Sequence, residues 1–340
     1  MIIICHSNYP ILNKNGNMLK DVGDVSVKDF LAQMMELKRY AWEHGISLKT
    51  SSEANLEDAH AVLFIDMPSS DSTFFRRAIQ SRKPLFLWAW ESGIINTRNS
   101  NKELHNEFRI VFTHDDSFLE NSKYIKVAYA FHFPRSVRKR YHNKKLCCMI
   151  AGNKASSHPL ELYSHRLAAI KWFEQHHIED FDLYGQGWNK IIPPKTIIDR
   201  IKNKVNWPIT SGENFRPSYK GAVLDKVKTY ERYRFSICYE NARDLPGYVS
   251  EKIFDCFFSG CVPIYWGAPN IGTLIPNDCY LERREFSSMK ALYERISNMS
   301  ENEYMARQEA IEAFVLEGQD SIFGVKRFAT TVIDTIRRYF

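Results

Sequence analysis

Two charged residues side by side, Glu251 and Lys252, open a helical pattern shortly after an apolar strand has ended in Glu240-Asn241. The loop before them finishes in Tyr248-Val249-Ser250. A second apolar strand, Val262 to Trp266, follows Gly260 and runs into Gly267-Ala268-Pro269-Asn270. Strand, helix and strand make a βαβ unit, in which ligands settle beyond the strand ends and at the helix N-terminus. The first turn of a helix presents N–H groups and the positive end of the dipole, and both favour a diphosphate. Lys252 can neutralise charge that grows on a departing phosphate. A carboxylate at Glu251 would repel phosphate, so it is suited to hydrogen bonds from ribose hydroxyls. An ordinary βαβ unit with a capped helix has the same outline, and Glu251 would then only complement the helix dipole.

A second candidate lies far upstream. The apolar run Leu85-Phe86-Leu87-Trp88-Ala89-Trp90 leads straight into Glu91-Ser92-Gly93. A carboxylate just past a strand of an open α/β sheet lies on the ligand side. Partial burial beside Trp88 and Trp90 would raise its pKa toward the range of a general base. His114, Asp115 and Asp116, in the turn after the next strand, are rivals for that role, but a helix cap is the better reading of them.

These residues need a scaffold, and the hydrophobic pattern supplies one. Apolar runs of strand length occur at Ile2–Cys5, Ala61–Ile65, Pro84–Trp88, Ile110–Phe112 and Ile125–Ala128. Helical spacing fills Val27 to His44, through Phe30, Leu31, Met34, Leu37 and Ala41, and Ser70 to Arg82, with a cap near Asp71 or Ser72. Alternation of this kind predicts a parallel sheet. The segment from Phe133 to Lys145 holds six basic residues and reads as a linker or as a contact with lipid phosphates. Beyond it come strands at Leu146–Ala151 and Phe181–Tyr184, a helix from Leu160 to about His176, and a polar stretch with Pro193, Pro194, Pro208 and Pro217. Helical patterns close the chain at Glu301–Leu316 and Ser321–Phe340. The expected division is a first domain over 1–142, a second over 143–325, and a terminal helix, 326–340, that crosses back to the first domain, packs on a core, or lies on a membrane.

Composition narrows the function. A chain of 340 residues with 44% hydrophobic and 25% charged residues is long enough for two globular domains. The net charge of +6 fits an anionic substrate or membrane surface, and no nucleic-acid motif accompanies it. Seven cysteines, with no C-x-x-C pair, predict buried free thiols rather than a zinc site. No run of about 18 apolar residues and no secretory signal is present, so a cytoplasmic protein is expected.

The strings F-S-I-C-Y-E-N, Y-V-S-E-K-I-F-D and V-P-I-Y-W-G-A-P-N, in that order between Phe235 and Asn270, resemble the donor-binding region of the α1,3/1,4-fucosyltransferases, glycosyltransferase family 10. The resemblance is dense from about Tyr219 to Phe286 and looser back to Leu146. It implies an α/β GT-B fold, with two Rossmann-like domains facing a cleft. It further implies GDP-β-L-fucose as donor substrate, transfer with inversion, and no essential cofactor. It assigns Glu251 and Lys252 to donor binding, joined by Asn241, Tyr248 and an arginine on the diphosphate. Here that arginine is Arg166, although the preceding strand ends in Gly152-Asn153 where the family has Ser-Asn, and the gap is longer. Glu91 occupies a place similar to the family's catalytic glutamate.

The resemblance also implies the acceptor, an oligosaccharide or lipid-linked glycan of bacterial surface polysaccharide or lipopolysaccharide, met around Tyr9–Asn17 and Ile94–Asn106. Animal members carry an anchor and a stem, so this chain reads as a bacterial form at the inner face of the cytoplasmic membrane. Asp180-Phe181-Asp182 fits the D-x-D of metal-dependent GT-A transferases, but it precedes a strand instead of following one. It is read as loop, and no metal is expected. Two other readings stand beside the main one: a similar transferase with a different nucleotide sugar, and a non-catalytic nucleotide- or sugar-binding protein on the same fold.

Overall fold

The computed structural model describes residues 1–20, 28–188, 216–223 and 225–340. Val27, at the start of the first helical pattern, and Pro193, Pro194 and Pro208 lie outside them. The chain forms two units. The first comprises Met1–Phe133, Pro246–Val249 and Glu317–Phe340; the second comprises Pro134–Leu245 and Ser250–Leu316.

The first unit is built on a parallel sheet of β1 (Ile2–Ser7), β2 (Ser47–Thr50), β3 (Ala61–Ile65), β4 (Leu85–Ala89), β5 (Ile110–Thr113) and β6 (Tyr124–Lys126), in the order β2-β1-β3-β4-β5-β6. Every residue of β3 and β4 is buried, as expected of strands covered on both faces. Alternate residues serve the two faces. Ile3, Cys5, Leu63, Ile65, Phe86 and Trp88 pack with Phe30, Met34 and Leu37 of the helix Lys28–Glu43. Val62, Phe64, Leu85, Leu87 and Val111 pack on the other side with Phe75, Ala78 and Phe108. The helix carrying Phe75 and Ala78, Thr73–Gln80, is capped by Ser72, whose side chain accepts from Phe75 N.

The terminal helix, Val325–Arg337, belongs to this unit. Its apolar residues Phe328, Val332, Ile333 and Ile336 join the core of the Lys28–Glu43 face. That face is therefore not available to lipid. No helix among the described residues is long and apolar enough to cross a membrane.

The second unit holds β7 (Lys145–Ile150), β8 (Phe181–Tyr184), β9 (Tyr233–Tyr239), β10 (Val262–Trp266) and β11 (Leu281–Glu282), all parallel in the order β11-β10-β9-β7-β8. The helix Tyr163–His176 follows β7, and the helix Glu251–Phe258 joins β9 to β10. The basic segment after Phe133 lies along this unit. Lys139 pairs with Glu312 at 2.5 Å, Arg138 with Glu231 at 3.3 Å and Lys145 with Asp182 at 2.9 Å, and Lys144 donates to Gly260 O. Charges engaged in this way are less available to lipid phosphates. All seven cysteines are buried free thiols.

Candidate functional site

The helix Glu251–Phe258 begins at the C-terminal end of β9, and four residues, Glu240, Ser250, Glu251 and Lys252, converge there. Glu240, directly after β9, has no exposed surface. Its Oε1 accepts from Ser250 N at 2.7 Å, and its Oε2 accepts from Ser250 Oγ at 2.6 Å and from Lys252 Nζ at 3.1 Å. Lys252 Nζ also donates to Ser250 Oγ at 2.8 Å and to Glu251 Oε1 at 3.5 Å. A buried carboxylate is tolerable only with such partners. Glu251 is half-buried, with a side chain 32% exposed. Burial opposes its ionisation, but the ammonium groups of Lys252 and Lys226, with hydrogen bonds from its own backbone and from Ser250, outweigh burial and hold its carboxyl down to about 2. The site is thus a fixed ammonium and a firmly ionised carboxylate at a helix N-terminus, able to meet a diphosphate and hydroxyl groups respectively.

Arg166 and Asn241 meet beside this group. The guanidinium Nη2 donates to Tyr239 O at 2.7 Å and to Asn241 Oδ1 at 3.1 Å, and the guanidinium lies over the Tyr163 ring at 5.0 Å. Arg166 is buried, 5% exposed. Its geometry ties the helix Tyr163–His176 to the end of β9 and orients Asn241. Tyr248 belongs to the first unit. It is buried there, its ring 5.2 Å from that of His114 and 6.1 Å from that of Tyr129. Gly247 beside it has φ +80, and a Cβ there would collide with His114 O and Lys126 Nζ.

Glu91 follows β4 in the first unit and is half-buried. Trp88 packs on Phe328 at 4.6 Å and Trp90 on Phe30 at 4.9 Å. The Glu91 carboxylate receives the Tyr9 hydroxyl at 3.3 Å. Its backbone is held by Asp66, directly after β3. Asp66 Oδ1 accepts from Trp90 N at 2.9 Å, Glu91 N at 2.8 Å and Asn99 Nδ2 at 2.7 Å. Asn99 Nδ2 also donates to Glu91 O at 2.8 Å. Asp66 sits at φ +63, a costly backbone for a residue other than glycine, and is 1% exposed. Burial pushes its carboxyl up to about 6, against the three donors that favour the charged form. Sequence reasoning missed Tyr9, Asp66 and Asn99 as parts of this group. A polar residue at each end of neighbouring parallel strands was the only available signal.

The rivals of Glu91 are committed to the fold. Asp115 caps a short helix by accepting from Ser117 N at 2.9 Å, and Asp116 pairs with Lys126 at 2.5 Å. His114 is buried, and burial together with Lys126 pushes its pKa down to about 3. The D-x-D carboxylates are engaged as well. Asp182 lies inside β8, not in a loop, and accepts from Lys145 at 2.9 Å and Tyr233 at 2.6 Å, while Asp180 accepts from Tyr293 at 2.8 Å.

Residues 140–308 match the family model described as glycosyltransferase family 10 (fucosyltransferase) C-term. An alpha-(1,3)-fucosyltransferase of Helicobacter pylori is 41% identical over 64 residues, which is 19% of this chain and 13% of that protein. An alpha-(1,4)-fucosyltransferase of Arabidopsis thaliana is 33% identical over 70 residues, 21% of this chain and 17% of that protein. These alignments span less than a fifth of either relative. Among solved structures, an alpha1,3-fucosyltransferase with GDP-fucose superposes with a TM-score of 0.54 at 15% identity, over 98% of this chain and 90% of that one. An alpha-glucosyltransferase in complex with UDP and DNA gives 0.57 at 11% identity, over 98% and 100%. At such identities the likeness speaks for the fold alone: α/β, GT-B, with two Rossmann-like units.

Proposed function

We infer that this chain, which carries a glycosyltransferase family 10 domain over residues 140–308, transfers L-fucose from GDP-β-L-fucose to a hydroxyl of an acceptor glycan with inversion at the anomeric carbon. The observation that carries the reading is the Lys252 ammonium, held at the N-terminus of the helix Glu251–Phe258 inside that domain. As the glycosidic bond breaks, negative charge grows on the departing GDP. An ammonium already in place stabilises that charge without reorganisation. Glu251 accepts hydrogen bonds from the ribose hydroxyls. Asn241, oriented by Arg166, contacts the donor, and Arg166 serves the site through it. Tyr248 anchors the loop before Ser250 in the first unit.

Glu91 takes the proton from the acceptor hydroxyl, which attacks the anomeric carbon and yields an α-linked product. Its backbone is fixed by Asp66 and its carboxylate is met by Tyr9, as a general base requires for orientation. No step requires a metal or a cofactor. The acceptor is a bacterial surface polysaccharide or lipopolysaccharide glycan, met around Tyr9–Asn17 and Ile94–Asn106.

The test is transfer from GDP-fucose, GDP-mannose, UDP-galactose and CMP-sialic acid to a panel of lactosamine and lipopolysaccharide core oligosaccharides, with the product anomer read by NMR. An α-fucosylated product from GDP-fucose alone is expected. A β-linked product, or turnover only with another donor, overturns the reading.

A further inference from the structure

Ser250 stands at the N-cap of the helix Glu251–Phe258, yet its side chain makes no capping bond. A serine at this position ordinarily accepts from the second or third N–H of the helix, here Lys252 or Ile253. The reason it does not is Glu240. Its carboxylate accepts from the Ser250 hydroxyl at 2.6 Å and from Ser250 N at 2.7 Å, and so holds the serine turned away from the helix. The same Oε2 receives Lys252 Nζ at 3.1 Å, and Nζ reaches back to Ser250 Oγ at 2.8 Å. Three groups thus close a small ring around one fully buried carboxylate. The space for it is shaped by Gly267, where a Cβ would collide with Glu240 Cγ and with the Tyr265 hydroxyl. Glu240 N is itself fixed by Trp266 O at 2.8 Å, so the carboxylate rests on the end of β10.

We propose that Glu240 is a positioning residue of the donor site, which aims the Lys252 ammonium and keeps the Ser250 hydroxyl off the helix cap, so that a diphosphate oxygen and not the serine satisfies the first turn. The proposal rests on the reading that Lys252 meets the diphosphate. Glutamine cannot replace Glu240. In either amide orientation it sets an NH2 against a group that can only donate, the Lys252 ammonium in one and the Ser250 N–H in the other.

The test is a double-mutant cycle on the full chain, with GDP binding measured by isothermal titration for wild type, Glu240→Gln, Lys252→Met and the double variant. Lys252→Met is expected to weaken GDP about tenfold or more, Glu240→Gln by a similar factor, and the double variant no further than Lys252→Met alone. Effects that multiply, or Glu240→Gln binding like wild type, overturn the role of Glu240 and leave the donor-site reading intact. Lys252→Met binding GDP like wild type overturns the donor-site reading itself. Should Glu240→Gln fail to unfold cooperatively, Ser250→Ala decides. It removes only the bridging hydroxyl, and a loss of a few-fold in GDP affinity that vanishes in the Lys252→Met background is expected. No loss, or the same loss in both backgrounds, contradicts the proposal.

Discussion

The Tyr9 hydroxyl donates to Glu91 Oε1 at 3.3 Å and so joins the loop after β1 to the loop after β4. Burial, with the charges of Glu91 and Asp66, drives the Tyr9 phenol above its ordinary range, so it remains a donor at every working pH. Hydrogen bonds to charged groups contribute about 1.5–3 kcal/mol. Tyr9→Phe is therefore expected to lower kcat at least tenfold and to leave GDP affinity within two-fold of wild type. Steady-state kinetics with a parallel GDP titration checks both numbers.

Glu91→Gln keeps the size of the side chain and removes its basicity. Turnover is expected to fall by at least two orders of magnitude, the scale of general-base catalysis, while GDP binding is retained. Transfer at more than a tenth of the wild-type rate would remove Glu91 from the role of base.

Asp66 and Glu251 should mark the pH dependence of stability in opposite directions. The folded Asp66 carboxyl is raised to about 6, so the folded state holds a proton that the unfolded state has lost. Its contribution is complete below about pH 4 and is lost as pH rises through 6, on the order of 3 kcal/mol in total. Glu251 is lowered to about 2, so its contribution is complete above about pH 4.5 and is lost as pH falls toward 2. Urea unfolding of Asp66→Asn between pH 4 and 7 should show a flatter stability profile than wild type. An unchanged slope contradicts the assignment.

Arg166 bears on stability as much as on binding. Its buried guanidinium satisfies Tyr239 O and Asn241 Oδ1, and its removal leaves those groups without that donor. Arg166→Ala is expected to lower unfolding stability by about 3 kcal/mol. Loss of GDP binding with unchanged stability would instead place the guanidinium on the donor.

Local pattern and tertiary pairing contributed differently to what could be read from the sequence. Ala61–Ile65 and Val262–Trp266 were legible as strands to the residue, because burial writes an unbroken apolar run, and Phe181–Tyr184 was legible although Asp182 interrupts it. Ser47–Thr50 was not, since it is an edge strand with Lys49 exposed and little apolar content. Strand Tyr124–Lys126 ends before Val127 and Ala128, whose apolar character serves the core beyond the sheet. Glu251 and Lys252 were visible because helix and motif place them in sequence. The bond from Tyr9 to Glu91 was hidden because only the sheet brings those residues together, and the ring around Glu240 was hidden because it depends on how the intervening loop returns Ser250 and Lys252 to the end of β9. Asp66 was hidden for a further reason, because its left-handed backbone breaks the local rule that sequence patterns express.

The most direct test of the donor site is isothermal titration of the purified protein with GDP, UDP and CMP, with Lys252→Ala in parallel. A GDP-selective donor site built on Lys252 predicts binding of GDP at least tenfold tighter than of UDP or CMP, and loss of that binding in Lys252→Ala. Equal binding of the three nucleotides, or GDP binding untouched by the substitution, contradicts it.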